Sequence, residues 1–174
     1  MESLKKYIRE IPDFPKPGVL FYDVTTLFAD PTGFRLALNR MQRFVESVGA
    51  EKLLAIESRG FIPASALADR LELPLILARK PGKLPYETIS EEYDLEYGTD
   101  RLEIHSDGVF EGERVVVVDD LIATGGTLAA ACKLVERLGG TVAGISAVIG
   151  LTFLPFAEKL SGYSVNYLVS YDKE

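Results

Sequence analysis

Apolar positions along the chain follow two rhythms, and each predicts a different kind of element. Phe34, Leu38, Met41, Val45 and Val48 recur every three or four residues, the spacing that gathers apolar side chains on one face of a helix. Asp30 followed by Pro31 supplies a cap with proline at the first helical position, and Gly49 supplies a stop. Leu4, Ile8 and Ile11 are spaced similarly, which predicts a short leading helix broken by Pro12. The second rhythm is a series of short continuous apolar runs: LLAIE from Leu53, PLILAR from Pro74, VVVV from Val115, TVAGISAVIG from Thr141 and SVNYLVSY from Ser164. Helical stretches at 63–71, 128–138 and 156–160 separate them. Runs of this length, rich in Val and Ile and alternating with helices, suit parallel strands buried on both faces. The expected fold class is α/β, with an open, mostly parallel sheet flanked by helices.

Two stretches break the rhythm. Residues 12–23 hold three prolines and a glycine, which predicts an ordered turn with a brief extended piece near 19–22. Residues 80–107 are charged and rich in tyrosine, and within them only DRLEIH alternates like a half-exposed strand. A loop of that length inside a compact domain is a lid or functional loop, and it reads as a mobile flap carrying a hairpin. No linker or internal repeat divides the 174 residues, so one domain over 1–174 is expected.

Composition narrows the class. Apolar residues make up 47% and charged residues 26%, which excludes a disordered or collagenous chain. Nineteen Lys and Arg against 26 Asp and Glu leave a net charge of −7, a poor match for nucleic acid or an anionic membrane. Taken alone, that charge also disfavours an anionic ligand. One Cys and one His exclude an intramolecular disulfide and a structural zinc site. No secretion signal or membrane-spanning run is present, so a cytoplasmic protein is expected. His105 falls out of phase with Leu102 and Ile104 and is expected to face solvent, while Cys132 reads as a buried small apolar group.

The candidate chemistry lies in VVVVDDLIATGGT, residues 115–127. Ligands of open α/β sheets sit beyond the carboxyl ends of the strands, where Asp119 and Asp120 are expected. Adjacent carboxylates raise each other's pKa unless cations or hydroxyl groups meet them, so sugar hydroxyls and a divalent metal are their natural partners. Ala123, Thr124, Gly125, Gly126 and Thr127 then open a helix, giving backbone N–H groups and two hydroxyls for a phosphate dianion. No Lys follows the glycines and the pattern is not GxGxxG, so neither an NTPase nor a dinucleotide site is indicated. Carboxylates followed by a phosphate cradle describe a pocket for a ribose 5-phosphate. An acidic strand end before an ordinary glycine helix start is the plainer reading.

Three further stretches carry their own readings. ESRGF at 57–61 ends a strand in a turn, where Arg59 either grips phosphate oxygens bidentately or forms a surface ion pair. Arg79, Lys80 and Lys83 place three positive charges in five residues with no acid among them, as an anion contact or as a solvated basic turn. LEYG at 95–98 reads, on composition, as part of a solvated acidic flap.

The hydrophobic run, paired acids and TGGT resemble the signature of type I phosphoribosyltransferases, which bind phosphoribosyl pyrophosphate (PRPP). FPKPGVLFYD at 14–23, ESRGF, ARKPGKLP at 78–85 and YDLEYGTDRLEIH at 93–105 resemble the adenine phosphoribosyltransferase family over nearly the whole chain. The resemblance implies transfer of a phosphoribosyl group from PRPP to adenine, with Mg²⁺ held mainly by PRPP and not directly by the protein. It assigns PRPP or AMP contacts to Arg59, Arg79, Lys80, Lys83, Asp119, Asp120 and residues 123–127. It gives catalytic roles to Glu96, Arg59 and Asp120, and base contacts to Leu20, Phe21, Tyr22, Glu96 and Tyr97. It further implies a base-pocket segment at 1–30, a flexible flap at 80–107, a non-proline cis peptide at Glu57–Ser58, and a homodimer in which Arg79 reaches the neighbouring site. The chain departs from the family at Tyr22, where many members carry Arg, and at Gly150, where many carry an acid. A 6-oxopurine or xanthine phosphoribosyltransferase and a non-catalytic PRPP sensor share the cradle and stand as alternatives.

Overall fold

The structure is a computed structural model and describes residues 3–94 and 98–173. Along the chain the elements are β1 (Arg9–Pro12), β2 (Leu20–Asp23), α1 (Thr25–Ala29), α2 (Pro31–Ser47), β3 (Lys52–Ile56), α3 (Phe61–Leu71), β4 (Leu75–Ala78), β5 (Thr88–Asp94), β6 (Thr99–His105), β7 (Arg114–Ile122), α4 (Gly126–Arg137), β8 (Thr141–Leu151), α5 (Phe156–Lys159) and β9 (Val165–Tyr171). Five of the strands form one sheet in the order β4-β3-β7-β8-β9. Every pairing in it is parallel. Chain order therefore reverses direction between β3 and β7, the topological switch point of an open α/β sheet.

Burial explains why these strands read as unbroken apolar runs. Leu53 and Ala55 face a core shared with Leu38, Met41 and Val45 of α2 and Leu67 of α3. Leu54 and Ile56 face a second core, with Leu128, Leu134 and Val135 of α4. The sheet is thus covered on both faces, and all five residues of β3 are buried.

Departures from expectation are local. The leading helix shrinks to one 3-10 turn at Lys5–Tyr7. Leu4 and Ile8 are buried as a helix would bury them, but Arg9–Pro12 runs extended and pairs antiparallel with Leu20–Asp23. Proline is tolerated there because β1 belongs to a two-stranded sheet, whose outer edge needs no donor. The connecting turn uses Gly18 at φ +87°, a cis Phe14–Pro15 bond, and the Gly18 N–H donating to Asp13 Oδ1 at 2.8 Å.

The described residues within 80–107 form the expected hairpin. β5 and β6 pair over seven residues each, and Tyr93, Leu102 and Ile104 point into the second core. The sequence TISEEYD of β5 gives no alternation that would reveal it, since its outer side chains are polar and only Tyr93 is buried. His105 also corrects the expectation of solvent exposure. It is half-buried, its ring lies 6.4 Å from that of Tyr86, and its Nε2 is shielded from solvent with no partner among the described residues.

Asp30 caps α2 as its sequence indicates, its Oδ1 accepting from the N–H groups of Thr32 at 2.9 Å and Gly33 at 2.8 Å. Asp30→Ala is expected to lower unfolding stability by about 1 kcal/mol, measured by urea denaturation; an unchanged midpoint would contradict the capping role.

Candidate active site

The site lies where β3 and β7 part company. Their pairing ends at Ala55 and Val118, and β3 turns off at Ile56 while β7 continues to Ile122. Asp119 and Asp120 therefore sit within a strand that has lost its partner on one side. The β3 chain makes its turn through Glu57, Ser58, Arg59 and Gly60, with the Glu57–Ser58 bond cis as expected. Gly60 allows the turn to pass close to β7: a Cβ there would lie 2.7 Å from the Ile56 carbonyl and 2.9 Å from Asp119 Oδ1.

The two strand ends enclose a cavity of about 270 Å³ lined by Ile56–Arg59, Lys80, Tyr93, Leu102, Asp119–Leu121 and Thr127. Across it, Arg59 Nε donates to Asp120 Oδ2 at 2.6 Å. Asp120 is buried, and its backbone N–H donates to Asp119 Oδ1 at 2.8 Å. Burial, reinforced by the neighbouring Asp120 charge, holds the Asp119 carboxyl well above the usual carboxylate range. A hydroxyl donor or a cation brought to this place would relieve it.

Next to this cavity is a smaller hollow of about 80 Å³, lined by Asp119, Leu121 and the stretch from Ala123 through Thr127 to Leu128. Gly125 takes φ +78°, and α4 starts there without a side-chain cap. Among the described residues no side chain caps its first-turn N–H groups or its positive dipole end, an arrangement that suits a phosphate.

The basic cluster is less free than its sequence suggests. Arg79 Nε lies 3.3 Å from Glu57 Oε2, Lys83 Nζ pairs with Glu57 Oε1, and the Lys80 N–H donates to Glu57 Oε2 at 3.0 Å. Lys80 Nζ pairs with Asp100, which also accepts from the Tyr93 hydroxyl at 3.2 Å. Burial would raise the Glu57 carboxyl, but the bonds from Lys83, Lys80 and Arg79 outweigh it and hold the group at about 2. Glu57 and Asp100 are the site residues that sequence reasoning missed. Glu57 carried one usable signal, its place at the carboxyl end of an apolar run; Asp100 carried none, because its role follows from its register opposite Tyr93.

The fold brings Arg59, Lys80, Asp119, Asp120 and Thr127 into one cavity. It gathers Ala123, Thr124, Gly125 and Gly126 beside it. Arg79 and Lys83 stand at the margin, clamped on Glu57. Leu20, Phe21 and Tyr22 lie on β2 and line neither hollow. Glu96 and Tyr97 lie outside the described residues. Both departures from the family pattern have a structural partner: the Tyr22 ring packs on Tyr171, and a Cβ at Gly150 would lie 2.8 Å from the Tyr167 ring. Cys132 is fully buried and burial pushes its thiol up to about 12, which removes it as a nucleophile.

Carboxylates and a helix start beyond the strand ends suit a phosphorylated sugar, and the phosphoribosyl transferase domain family matches residues 38–165. Within that class the chain belongs to the adenine phosphoribosyltransferase family. It is 50% identical to the adenine phosphoribosyltransferase of Solibacter usitatus, over 99% of this chain and 100% of that one. The crystal structure of the Thermoanaerobacter pseudethanolicus adenine phosphoribosyltransferase superposes with a TM-score of 0.93 at 49% identity, covering 97% of this chain and 98% of that one. That of Saccharomyces cerevisiae, complexed with an imino-altritol bisphosphate and adenine, gives a TM-score of 0.89 at 35% identity, covering 95% and 96%.

Because the Glu57 carboxylate is held below its unfolded value, it stabilises the fold above pH ~4.3 and loses that contribution as the pH falls through about 2. The stability difference between the wild type and Glu57→Gln, followed by urea unfolding, is expected to be full at neutral pH and to vanish toward pH 2. A difference independent of pH would contradict the assignment.

Proposed function

We propose that this protein transfers the 5-phosphoribosyl group of PRPP to adenine, giving AMP and pyrophosphate, as a purine-salvage enzyme. The observation that carries the reading is the junction at the β3/β7 switch point: the Arg59–Asp120 pair and Asp119 on one side, the uncapped start of α4 on the other. The yeast relative's complex with adenine and a bisphosphorylated sugar analogue supports the substrates.

In this reading the 5-phosphate sits on the backbone N–H groups and hydroxyls of residues 123–127, and the ribose hydroxyls meet Asp119 and Asp120. The bond from the anomeric carbon to pyrophosphate breaks ahead of the new bond to adenine N9. Positive charge therefore builds on the sugar next to Asp119 and Asp120, while Arg59, Lys80 and Lys83 receive the negative charge of the departing pyrophosphate. Main-chain groups of Leu20 and Tyr22 and the Phe21 ring hold the base, with Tyr97 as a further base contact. Glu96 takes the N9 proton as the bond forms and returns it in the reverse direction.

Mg²⁺ would fit this arrangement as a passenger of PRPP and, when bound, would supply charge neutralisation for pyrophosphate. The described residues contain no group of three or more His, Cys, Asp or Glu able to hold a metal alone, and Asp119 and Asp120 are the carboxylates that would face it. No helix among the described residues is long and apolar enough to cross a membrane. A cytoplasmic homodimer, with Arg79 directed to the neighbouring subunit, completes the proposal.

Incubating purified protein with PRPP, Mg²⁺ and each of adenine, hypoxanthine, guanine and xanthine, and separating the nucleotides by chromatography, tests it. AMP is expected, with the oxo-purines turned over at least about 100-fold less efficiently because they mismatch the donors and acceptors of a site built for adenine. No AMP above background, or preference for an oxo-purine, would overturn the reading.

A further inference from the structure

Among the described residues the β1–β2 hairpin pairs with no other strand, and a two-stranded hairpin has little stability of its own. Something must hold β2 against the body, and the alternation of its side chains shows what does. Phe21 is half-buried, in edge contact with Phe14 at 5.0 Å. Tyr22 points the other way and is 7% exposed. Its ring stacks on Tyr171, at the end of β9, with centroids 3.7 Å apart and planes at 26°. Its hydroxyl donates to the Lys173 carbonyl at 3.0 Å.

Tyr171 is itself anchored on several sides. Its carbonyl accepts from the Thr152 N–H at 2.8 Å and the Thr152 hydroxyl at 2.9 Å. Lys5 Nζ stands 4.6 Å from its ring centroid. The Tyr171 hydroxyl, by contrast, is buried without a partner among the described residues. A buried unpaired hydroxyl contributes nothing favourable, so the ring face does the holding.

We infer that Tyr171 is a positioning residue for the base: through its stack on Tyr22 it fixes the β2 backbone, and with it Phe21 and the main-chain groups of Leu20 and Tyr22. The inference rests on the reading that β2 carries the adenine site. It separates the two substrates, because Tyr171 touches neither the cavity with the Arg59–Asp120 pair nor the hollow at the start of α4.

Steady-state kinetics of the full chain test this, with Tyr171→Ala, Tyr171→Phe and, as a control for lost packing at the opposite end of the sheet, Val45→Ala. Tyr171→Ala is expected to raise KM for adenine about tenfold while KM for PRPP stays within about twofold. Tyr171→Phe keeps the ring and is expected to match the wild type in both. Val45→Ala is expected to lower Tm without moving either KM. Should Tyr171→Ala fail to fold, Tyr171→Leu, which fills the space without a ring face, decides by the same split. An unchanged adenine KM, an equal rise in both KM values, or a Tyr171→Phe that behaves like Tyr171→Ala would overturn the inference. A wild type that makes no AMP would overturn the reading beneath it as well.

Discussion

The parallel pairing of β3 with β7, and its early end, is the constraint from which the site follows. One strand turns away after Ile56 while its neighbour runs on to Ile122, so a crevice opens between them and two carboxylates project along its wall. A tight turn without room for a Cβ at Gly60 brings Arg59 back across that crevice. The same strand then feeds α4, whose first turn lies one short loop away. The sugar and phosphate contacts we propose would thereby come from consecutive pieces of a single strand–loop–helix unit, with the sheet beneath them.

Local electrostatics reconcile a net charge of −7 with the anionic substrate we propose. The cations of the site are each paired with an acid of the same site: Arg59 with Asp120, Arg79 and Lys83 with Glu57, and Lys80 with Asp100. Without ligand these side chains are oriented and their charges compensated. In the proposed reaction an arriving pyrophosphate would exchange one anionic partner for another, so that local pairing outweighs global charge. Glu57 also ties the β3 turn to the basic segment, and Asp100 ties that segment to the hairpin.

Much of this was legible in the amino-acid order, for physical reasons. β3, β7 and β8 stand out because strands buried on both faces need every residue apolar, and α2 because a helix covering a sheet needs an apolar stripe. Asp119, Asp120 and the TGGT turn were legible as neighbours at a strand end, and the structure places them around two adjoining hollows. The β5–β6 hairpin was legible mainly through the alternation of DRLEIH, since the outward side chains of β5 are polar and its pairing depends on register. β1 was not legible, because its residues share a helical spacing but bury it through a single turn and an extended strand. The pairing of Glu57 with Arg79 and Lys83 joins residues 22 and 26 positions apart, a contact that no local pattern encodes. Tyr22 and Gly150, departures as letters in a sequence, are accounted for by Tyr171 and Tyr167.

The β1–β2 hairpin is a two-stranded sheet attached to the body through the stack of Tyr22 on Tyr171. The most direct measurement of the whole account is a crystal structure with AMP bound. The account predicts the 5-phosphate on the backbone N–H groups of residues 124–127 and the ribose hydroxyls on Asp119 and Asp120. A phosphate lodged instead on Arg79 and Lys83, with the start of α4 left bare, would contradict it.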